Sequence, residues 1–107
     1  MTQSQITIDV ELDDNKVPER MKWRSSEDQD AVDTKALFLS CWDEKQGTMK
    51  IDLWTKEMKV DEMKYFVHQT ILSMADSFER ATGERAMALT MKDFCEYFAE
   101  KMNLEQS

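Results

Sequence analysis

Apolar and polar residues alternate along the first part of the chain. Every second residue from position 6 to position 12 is apolar, with polar residues between: Ile6, Ile8, Val10 and Leu12. Such alternation is typical of a β-strand with one buried face. After the turn-forming stretch 13–16 the alternation resumes, and Met21 and Trp23 stand between three cations. The pattern therefore predicts a β-hairpin.

Folding these two strands back about the turn gives one register that suits both faces. Val10 then lies opposite Met21, and Asp9 lies opposite Lys22. The other pairs in this register are Thr7–Arg24, Ile8–Trp23 and Glu11–Arg20. Apolar pairs meet on one face and opposite charges meet on the other, whereas a slip of one residue would expose the apolar set.

The next segment, residues 25–34, is polar and acidic. Its carboxylates raise the question of a calcium site: Glu27, Asp28, Asp30 and Asp33. The spacing lacks the glycine and the terminal glutamate of an EF-hand loop. We therefore expect a solvated loop.

Two segments that are apolar on both faces follow this loop. Residues 36–42 read ALFLSCW, and residues 49–55 read MKIDLWT. The stretch 45–48 between them contains Gly47, which is typical of a hairpin turn. The sequence thus predicts a second hairpin.

Beyond the second hairpin the apolar period changes from two residues to that of an α-helix. One stripe collects Met63, Phe66, Val67, Thr70, Ile71, Met74 and Phe78. Asp61 is the expected N-cap of this helix, and Gly83 is its expected end. A second helix is predicted from about Met91 to Met102, where Thr90 and Asp93 have the spacing of a capping box.

The predicted elements follow the order β-β-β-β-α-α. The simplest α+β architecture for this order is a four-stranded antiparallel sheet, made of two hairpins, followed by two helices packed on one face. The 107 residues suffice for one compact domain with a modest core. We therefore expect a single domain over residues 1–107.

Charge and cysteine usage narrow the classes of partner. The chain has 14 Lys and Arg against 22 Asp and Glu, a formal charge of −8, which disfavours nucleic acids and anionic membranes. The start shows no signal-peptide pattern, and no apolar run has the length of a membrane span. Cys41 and Cys95 lie far apart within apolar patterns, which favours buried reduced thiols over a disulfide. We expect a cytoplasmic protein that binds other proteins.

His68 is the only histidine and the first candidate for a catalytic or metal-binding group. On the predicted helix it lies at the edge of the apolar stripe, one turn from Lys64, a cation that disfavours a protonated imidazole. Neither a nucleophile elbow, a phosphate-binding glycine loop nor an HExxH motif occurs in the sequence. We therefore expect a structural histidine, no enzymatic activity, and no metal or cofactor.

Five segments together resemble one known family in their order and spacing. They are DDNKVPERMKW, IDLWTKEM, VDEMKYFVHQT, SFERATGE and MKDFCEYFAEKM. They resemble the gliding motility-associated protein GldC of Bacteroidetes, and the resemblance covers nearly the whole chain, from about Ile6 to Leu104. None of the segments is a mechanistic motif, so the resemblance rests on their combination.

The resemblance implies a small accessory protein of gliding motility, a surface movement that uses adhesins exported by the type IX secretion machinery. It implies action through protein–protein interaction and carries over no catalytic residue. Four strands followed by two helices is also similar to the order of elements in the SecB-type export chaperone. A SecB-like holdase for exported clients is therefore the alternative, on fold-level analogy alone.

The second hairpin supplies a candidate interaction surface. Two amphipathic helices can cover only one face of a sheet, and we expect Phe38, Trp42, Ile51 and Leu53 on that covered face. The apolar residues of the far face would stay exposed, and such patches usually mark interaction sites. The predicted partner-binding or self-association residues are Leu37, Leu39, Cys41 and Trp54.

Overall fold

The chain forms five β-strands followed by two α-helices. The computed structural model describes residues 2–105, except for the side chains of Asp28 and Gln29. The elements are β1 (Ile6–Leu12), β2 (Pro18–Ser25), β3 (Asp28–Thr34), β4 (Ala36–Asp43), β5 (Gly47–Trp54), α1 (Val60–Thr82) and α2 (Arg85–Lys101). The strands form one compact unit that ends at Lys59, and the helices form a second that begins at Val60.

The predicted α+β class with antiparallel strands is confirmed, but the single four-stranded sheet is wrong. The first three strands form an antiparallel sheet in the order β1-β2-β3, and β4 pairs with β5 in a separate two-stranded sheet. The chain bends at Lys35, between β3 and β4, so a nearly continuous segment contributes one strand to each sheet. The packing of both helices on one sheet face and the single-domain organisation stay predictions.

The predicted register of the first hairpin is confirmed. Val10 lies opposite Met21, and Asp9 lies opposite Lys22. Since side chains alternate across a strand, one face of this pair is apolar and the other is charged. Met21 lies on the apolar face of the central strand and is only 1% exposed.

The acidic segment after β2 forms a strand, so the solvated loop predicted over residues 25–34 is wrong for Asp28–Thr34. β3 pairs antiparallel with β2, and Lys22 of β2 lies between Asp9 on one side and Asp33 on the other. Cross-strand pairs of opposite charge stabilise a sheet. An acidic strand is therefore favoured beside the cationic face of β2.

The end of β5 is joined to the first sheet by backbone hydrogen bonds and an ion pair. The Thr55 N–H donates to the Lys35 carbonyl at 2.8 Å, and the Lys56 N–H donates to the Pro18 carbonyl at 3.3 Å. The ammonium of Lys56 lies 2.5 Å from Oδ2 of Asp13, in the turn between β1 and β2. These contacts hold the second hairpin against the first sheet at the Lys35 bend.

Asp13 also organises its own turn. Its Oδ1 accepts hydrogen bonds from the backbone N–H groups of Asn15 and Val17, at 2.8 and 2.9 Å. The hydrogen bond from Lys56, followed by the one from the Val17 N–H, holds the pKa of the Asp13 carboxyl below its usual value. The hydrogen bond to Asp13 raises the pKa of the Lys56 ammonium.

The first helix begins and ends close to the predicted residues. It starts at Val60, so Asp61 lies in its first turn, where a carboxylate suits the positive end of the helix dipole, and not at the N-cap. Gly83 follows the last helical residue with φ of 75°, and its N–H donates to the Glu79 carbonyl at 2.8 Å. The predicted end at Gly83 is confirmed, because glycine adopts positive φ without steric cost.

The second helix starts earlier than the sequence pattern predicts. α2 begins at Arg85 instead of Met91. Thr90 therefore lies inside the helix, where its hydroxyl donates to the Ala86 carbonyl at 3.2 Å. The capping box proposed for Thr90 and Asp93 is wrong, because the helix already extends one and a half turns before it.

Small residues occupy the buried positions of the helical unit. Ala75 of α1 is buried, as are Ala88, Cys95 and Ala99 of α2. The latter three recur at helical spacing and so share one stripe of α2. An ion pair between Asp76 and Lys92, at 3.0 Å, joins the two helices. Small side chains at a helix contact permit a short distance between the axes.

The Asp13–Lys56 pair should make stability depend on pH in the acid range. A carboxyl whose pKa is lowered by folding stabilises the native state above its unfolded pKa, near 3.9, and loses that contribution as pH falls through the folded pKa. Asp13→Asn keeps the oxygen that accepts from Asn15 and Val17 but removes the charge. The difference in unfolding free energy between wild type and this variant should be constant near neutral pH and should close below about pH 4. Urea unfolding over a pH series measures it, and a pH-independent difference would contradict the assignment.

Overpacking should show how tightly the helices approach each other. Ala75→Leu inserts a large side chain at a buried position and should lower the unfolding free energy by about 1–3 kcal/mol. Ala81→Leu makes the same change at an exposed position of α1 and should alter it by less than about 0.5 kcal/mol. Chemical unfolding of both variants tests this, and equal effects would show that Ala75 has room beside it.

Candidate interaction surface

The β4–β5 hairpin presents apolar residues on both faces, and its register decides which of them belong together. Leu37 pairs with Leu53, Leu39 with Ile51, and Cys41 with Met49. Directly opposed residues of an antiparallel pair share a face. We call this set the leucine face: Leu37, Leu39, Cys41, Met49, Ile51 and Leu53.

The alternate residues of both strands form the opposite face. Ala36 pairs with Trp54, and Trp42 pairs with Thr48. Phe38 and Ser40 lie between them on β4, opposite Asp52 and Lys50. We call this set the tryptophan face: Ala36, Phe38, Ser40, Trp42, Thr48, Lys50, Asp52 and Trp54.

Large side chains of both faces are exposed to solvent. On the leucine face Leu39 is 40% exposed and Ile51 is 52% exposed. On the tryptophan face Trp42 is 72% exposed and Trp54 is 52% exposed. Apolar side chains of this size that gather on one small hairpin form the kind of patch that marks an interaction site.

The structure divides the predicted partner-binding group between the two faces. Leu37, Leu39 and Cys41 lie together on the leucine face, but Trp54 lies on the tryptophan face. Ile51 and Leu53, expected on the opposite side of the sheet, share the leucine face. The predicted grouping of faces is therefore wrong for β5, while the role of these residues in binding stays a prediction.

Loop length is the cause of this error. A turn over residues 45–48 would pair residue 44 with residue 49, whereas the structure pairs Asp43 with Gly47 across the loop 44–46. That difference moves the partner of each β4 residue by three positions along β5, an odd number, and so moves every β5 side chain to the other face. Oδ1 of Asp43 accepts from the Lys45 N–H at 2.6 Å, and Gly47 has φ of 76°. The glycine marks the end of the loop, and this signal identifies Met49 and Ile51 as members of the leucine face.

The two cysteines differ in exposure. Both are free thiols, and Cys95 is buried as predicted. Burial raises the pKa of its thiol. Cys41 is exposed, so the prediction of a buried thiol is wrong there. Cys41 lies on the leucine face, and its side chain is exposed to solvent there.

An open groove of about 560 Å³ lies where the two sheets meet. Carboxylates and cations make up most of its lining: Glu11, Glu19, Arg20, Met21, Asp33, Thr34, Lys35, Thr55 and Glu57. The hydroxyl of Thr55 is buried without a hydrogen-bond partner among the described residues. These lining residues include no cysteine or serine that could act as a nucleophile, and no histidine that could act as its base. Within residues 2–105 no group of three or more His, Cys, Asp or Glu is placed to hold a metal ion.

His68 packs between the helices. Its side chain is half-buried on α1, and its ring centroid lies 6.0 Å from that of Phe98 on α2, with the planes tilted by 31°. Aromatic rings at this separation attract each other and bury apolar surface. The contact gives His68 a structural role at the edge of the helix interface.

The matched family agrees with the sequence resemblance. The family model described as "Gliding motility-associated protein GldC-like" matches residues 18–104. The chain belongs to this GldC-like family. No curated protein and no solved structure matches the chain. The matched residues run from β2 to the end of α2 and include the whole β4–β5 hairpin.

The helices of this GldC-like chain are amphipathic. Among the residues that the structure describes, no helix combines the length and the apolar character that crossing a bilayer requires. Charged residues occur in both helices, including the pair Asp76–Lys92 that joins them.

Substitution of His68 should separate its packing role from any role as a ligand. His68→Gln removes the ring contact with Phe98 and should lower the unfolding free energy of the GldC-like chain by about 1–2 kcal/mol without loss of fold. His68→Phe keeps a ring and should recover most of that loss. Thermal unfolding measures both, and a metal present in purified wild type but absent from His68→Gln by elemental analysis would contradict the packing role.

Proposed function

We propose that this protein is a non-enzymatic accessory protein of bacterial gliding motility. It acts in the cytoplasm by binding another protein of the motility or type IX secretion apparatus. Membership of the GldC-like family supports the biological process. The observation that supports binding as its mode of action is the exposure of large apolar side chains on both faces of the β4–β5 hairpin.

The two faces offer different contacts to a partner. Trp42 and Trp54 on the tryptophan face have the size and the polar N–H of residues that anchor interfaces. Leu39 and Ile51 on the leucine face form a directly opposed pair. Burial of an apolar side chain contributes about 1.5–3 kcal/mol in full, and a partner would gain the part of this that corresponds to the surface still exposed, about half for Leu39, Ile51 and Trp54, before the cost of association. A hairpin face thus carries enough apolar surface for specific binding.

The holdase alternative uses the same apolar surface in another way. A chaperone of the SecB type would hold many unfolded export clients, so it needs broad rather than specific contacts. A specific adaptor captures one or two partners at a defined ratio. Client breadth therefore distinguishes the two functions, and the fold does not.

Matched charge substitutions on the two faces test the proposal. Leu39→Glu and Trp54→Glu each place a carboxylate on one face of the hairpin, at positions about half exposed, where the unfolding free energy should fall by about 1–2 kcal/mol without loss of fold. Tagged wild type should capture one or two motility or secretion proteins from gliding cells, identified by mass spectrometry. One variant should lose that capture and so identify the partner-binding face.

Three results would contradict the proposal. Capture of the same partners by both variants would exclude the hairpin as the binding surface. Suppression of aggregation of unrelated unfolded proteins, in place of specific capture, would favour the holdase. Unfolding of either variant in the thermal melt would show that the substituted face is core.

A further inference from the structure

The outer edge of β5 is open to another strand. Within residues 2–105, β5 pairs with β4 and with no other strand. It runs for eight residues, Gly47–Trp54, and its pairing with β4 has no irregularity. An unbroken edge strand presents a row of backbone N–H and C=O groups that can pair with a further strand. The side chains along it are mostly exposed, on both faces.

The edges of the first sheet are less suited to such pairing. β1 carries Asp9 and Glu11, and β3 carries three aspartates, so two copies of either strand would bring like charges together. The pairings of β1 and of β3 with β2 both contain a register shift. Charge and bulges are the devices by which proteins protect edge strands. β5 has neither protection: its pairing with β4 has no bulge, and its two charges, Lys50 and Asp52, are of opposite sign and form an ion pair with each other at 3.1 Å.

The order of these charges makes β5 complementary to itself. In an antiparallel pair of two β5 strands centred on Ile51, Lys50 lies opposite Asp52 of the second copy, and the two-fold axis repeats this pair. The same register places Met49 opposite Leu53, apolar against apolar. Centring on Lys50 would instead oppose two ammonium groups, and centring on Asp52 would oppose two carboxylates. Like charges directly opposite each other destabilise a sheet, and among the symmetric registers only the one centred on Ile51 places Lys50 opposite Asp52, so charge favours that register.

At the other edge of the hairpin, formed by β4, charge does not favour any symmetric register. β4 has Asp43 as its charged residue and no cation. No symmetric register of two β4 strands therefore forms an ion pair. The charges of the hairpin favour β5 as the pairing edge.

We propose that two copies of this chain associate through antiparallel pairing of β5 with β5, about a two-fold axis at Ile51. The two hairpins then form one four-stranded sheet in the order β4-β5-β5-β4. The leucine faces of both copies join into one continuous surface, because paired strands keep their faces in common. This pairing does not depend on the proposed role in motility, because it requires no partner other than a second copy of the chain and can be tested with purified protein.

A charge swap with a matched control tests this pairing. Lys50→Asp places carboxylates opposite Asp52 at both symmetric positions, and should raise the Kd of the dimer roughly tenfold or more. The double variant Lys50→Asp/Asp52→Lys restores unlike pairs across the axis and should recover dimerisation. Lys45→Asp makes the same charge change at an exposed position of the loop 44–46 and should leave the Kd unchanged. Sedimentation equilibrium over a concentration series gives each Kd, with circular dichroism as the check of folding.

Rescue by the swap is the decisive result. A foreign partner that contacts Lys50 would give no reason for the double variant to self-associate, whereas the two-fold register predicts it. A wild type that stays monomeric at every concentration overturns the inference. So does dissociation by Lys45→Asp, a folded Lys50→Asp that dimerises like wild type, or a folded double variant that stays monomeric.

Discussion

Strand β2 is the element on which the first sheet depends, because each of its faces suits both neighbours at once. Lys22 lies between Asp9 of β1 and Asp33 of β3 on the charged face. Met21 is buried on the other face. A slip of either neighbour by one residue would bring apolar residues opposite charges. Burial and charge thus each favour the same register of the strands in the first sheet.

The position of the second hairpin follows from the same strand pairing. β3 leads through the bend at Lys35 directly into β4, so the alignment of β3 on β2 determines where β4 starts. The Thr55 N–H closes the junction by donating to the Lys35 carbonyl. A charge arrangement in the first sheet therefore determines where the exposed hairpin begins.

The sequence predicts the parts of this fold whose signals are local. The register of the first hairpin follows from two faces that agree, and Gly83 marks the end of α1 by its backbone freedom. β3 is missed because it is stabilised by charges that are distant in sequence, and its own alternation of apolar residues is weak. The capping-box spacing of Thr90 and Asp93 predicts too late a start for α2, because residues 86–89 already have strong helix propensity.

The candidate interaction surface shows how much a single residue of loop length matters. All four predicted residues lie on the hairpin, but the phase of β5 depends on whether its loop has three residues or four. Asp43 and Gly47 decide that length through a side-chain hydrogen bond and a positive φ. Composition alone does not determine the phase of β5, because either phase would place apolar residues on both faces of the hairpin.

An isolated two-stranded hairpin is only marginally stable in water, so the order of this surface must come from its attachment. Backbone hydrogen bonds to Lys35 and Pro18, with the ion pair between Lys56 and Asp13, provide that attachment at one end of the hairpin. A surface held in place before binding loses less conformational freedom when a partner arrives. If the hairpin binds a partner as proposed, the polar junction would favour that binding without touching the partner. The acidic first sheet thus fixes the position of the hairpin, and the nearly neutral hairpin exposes the apolar surface.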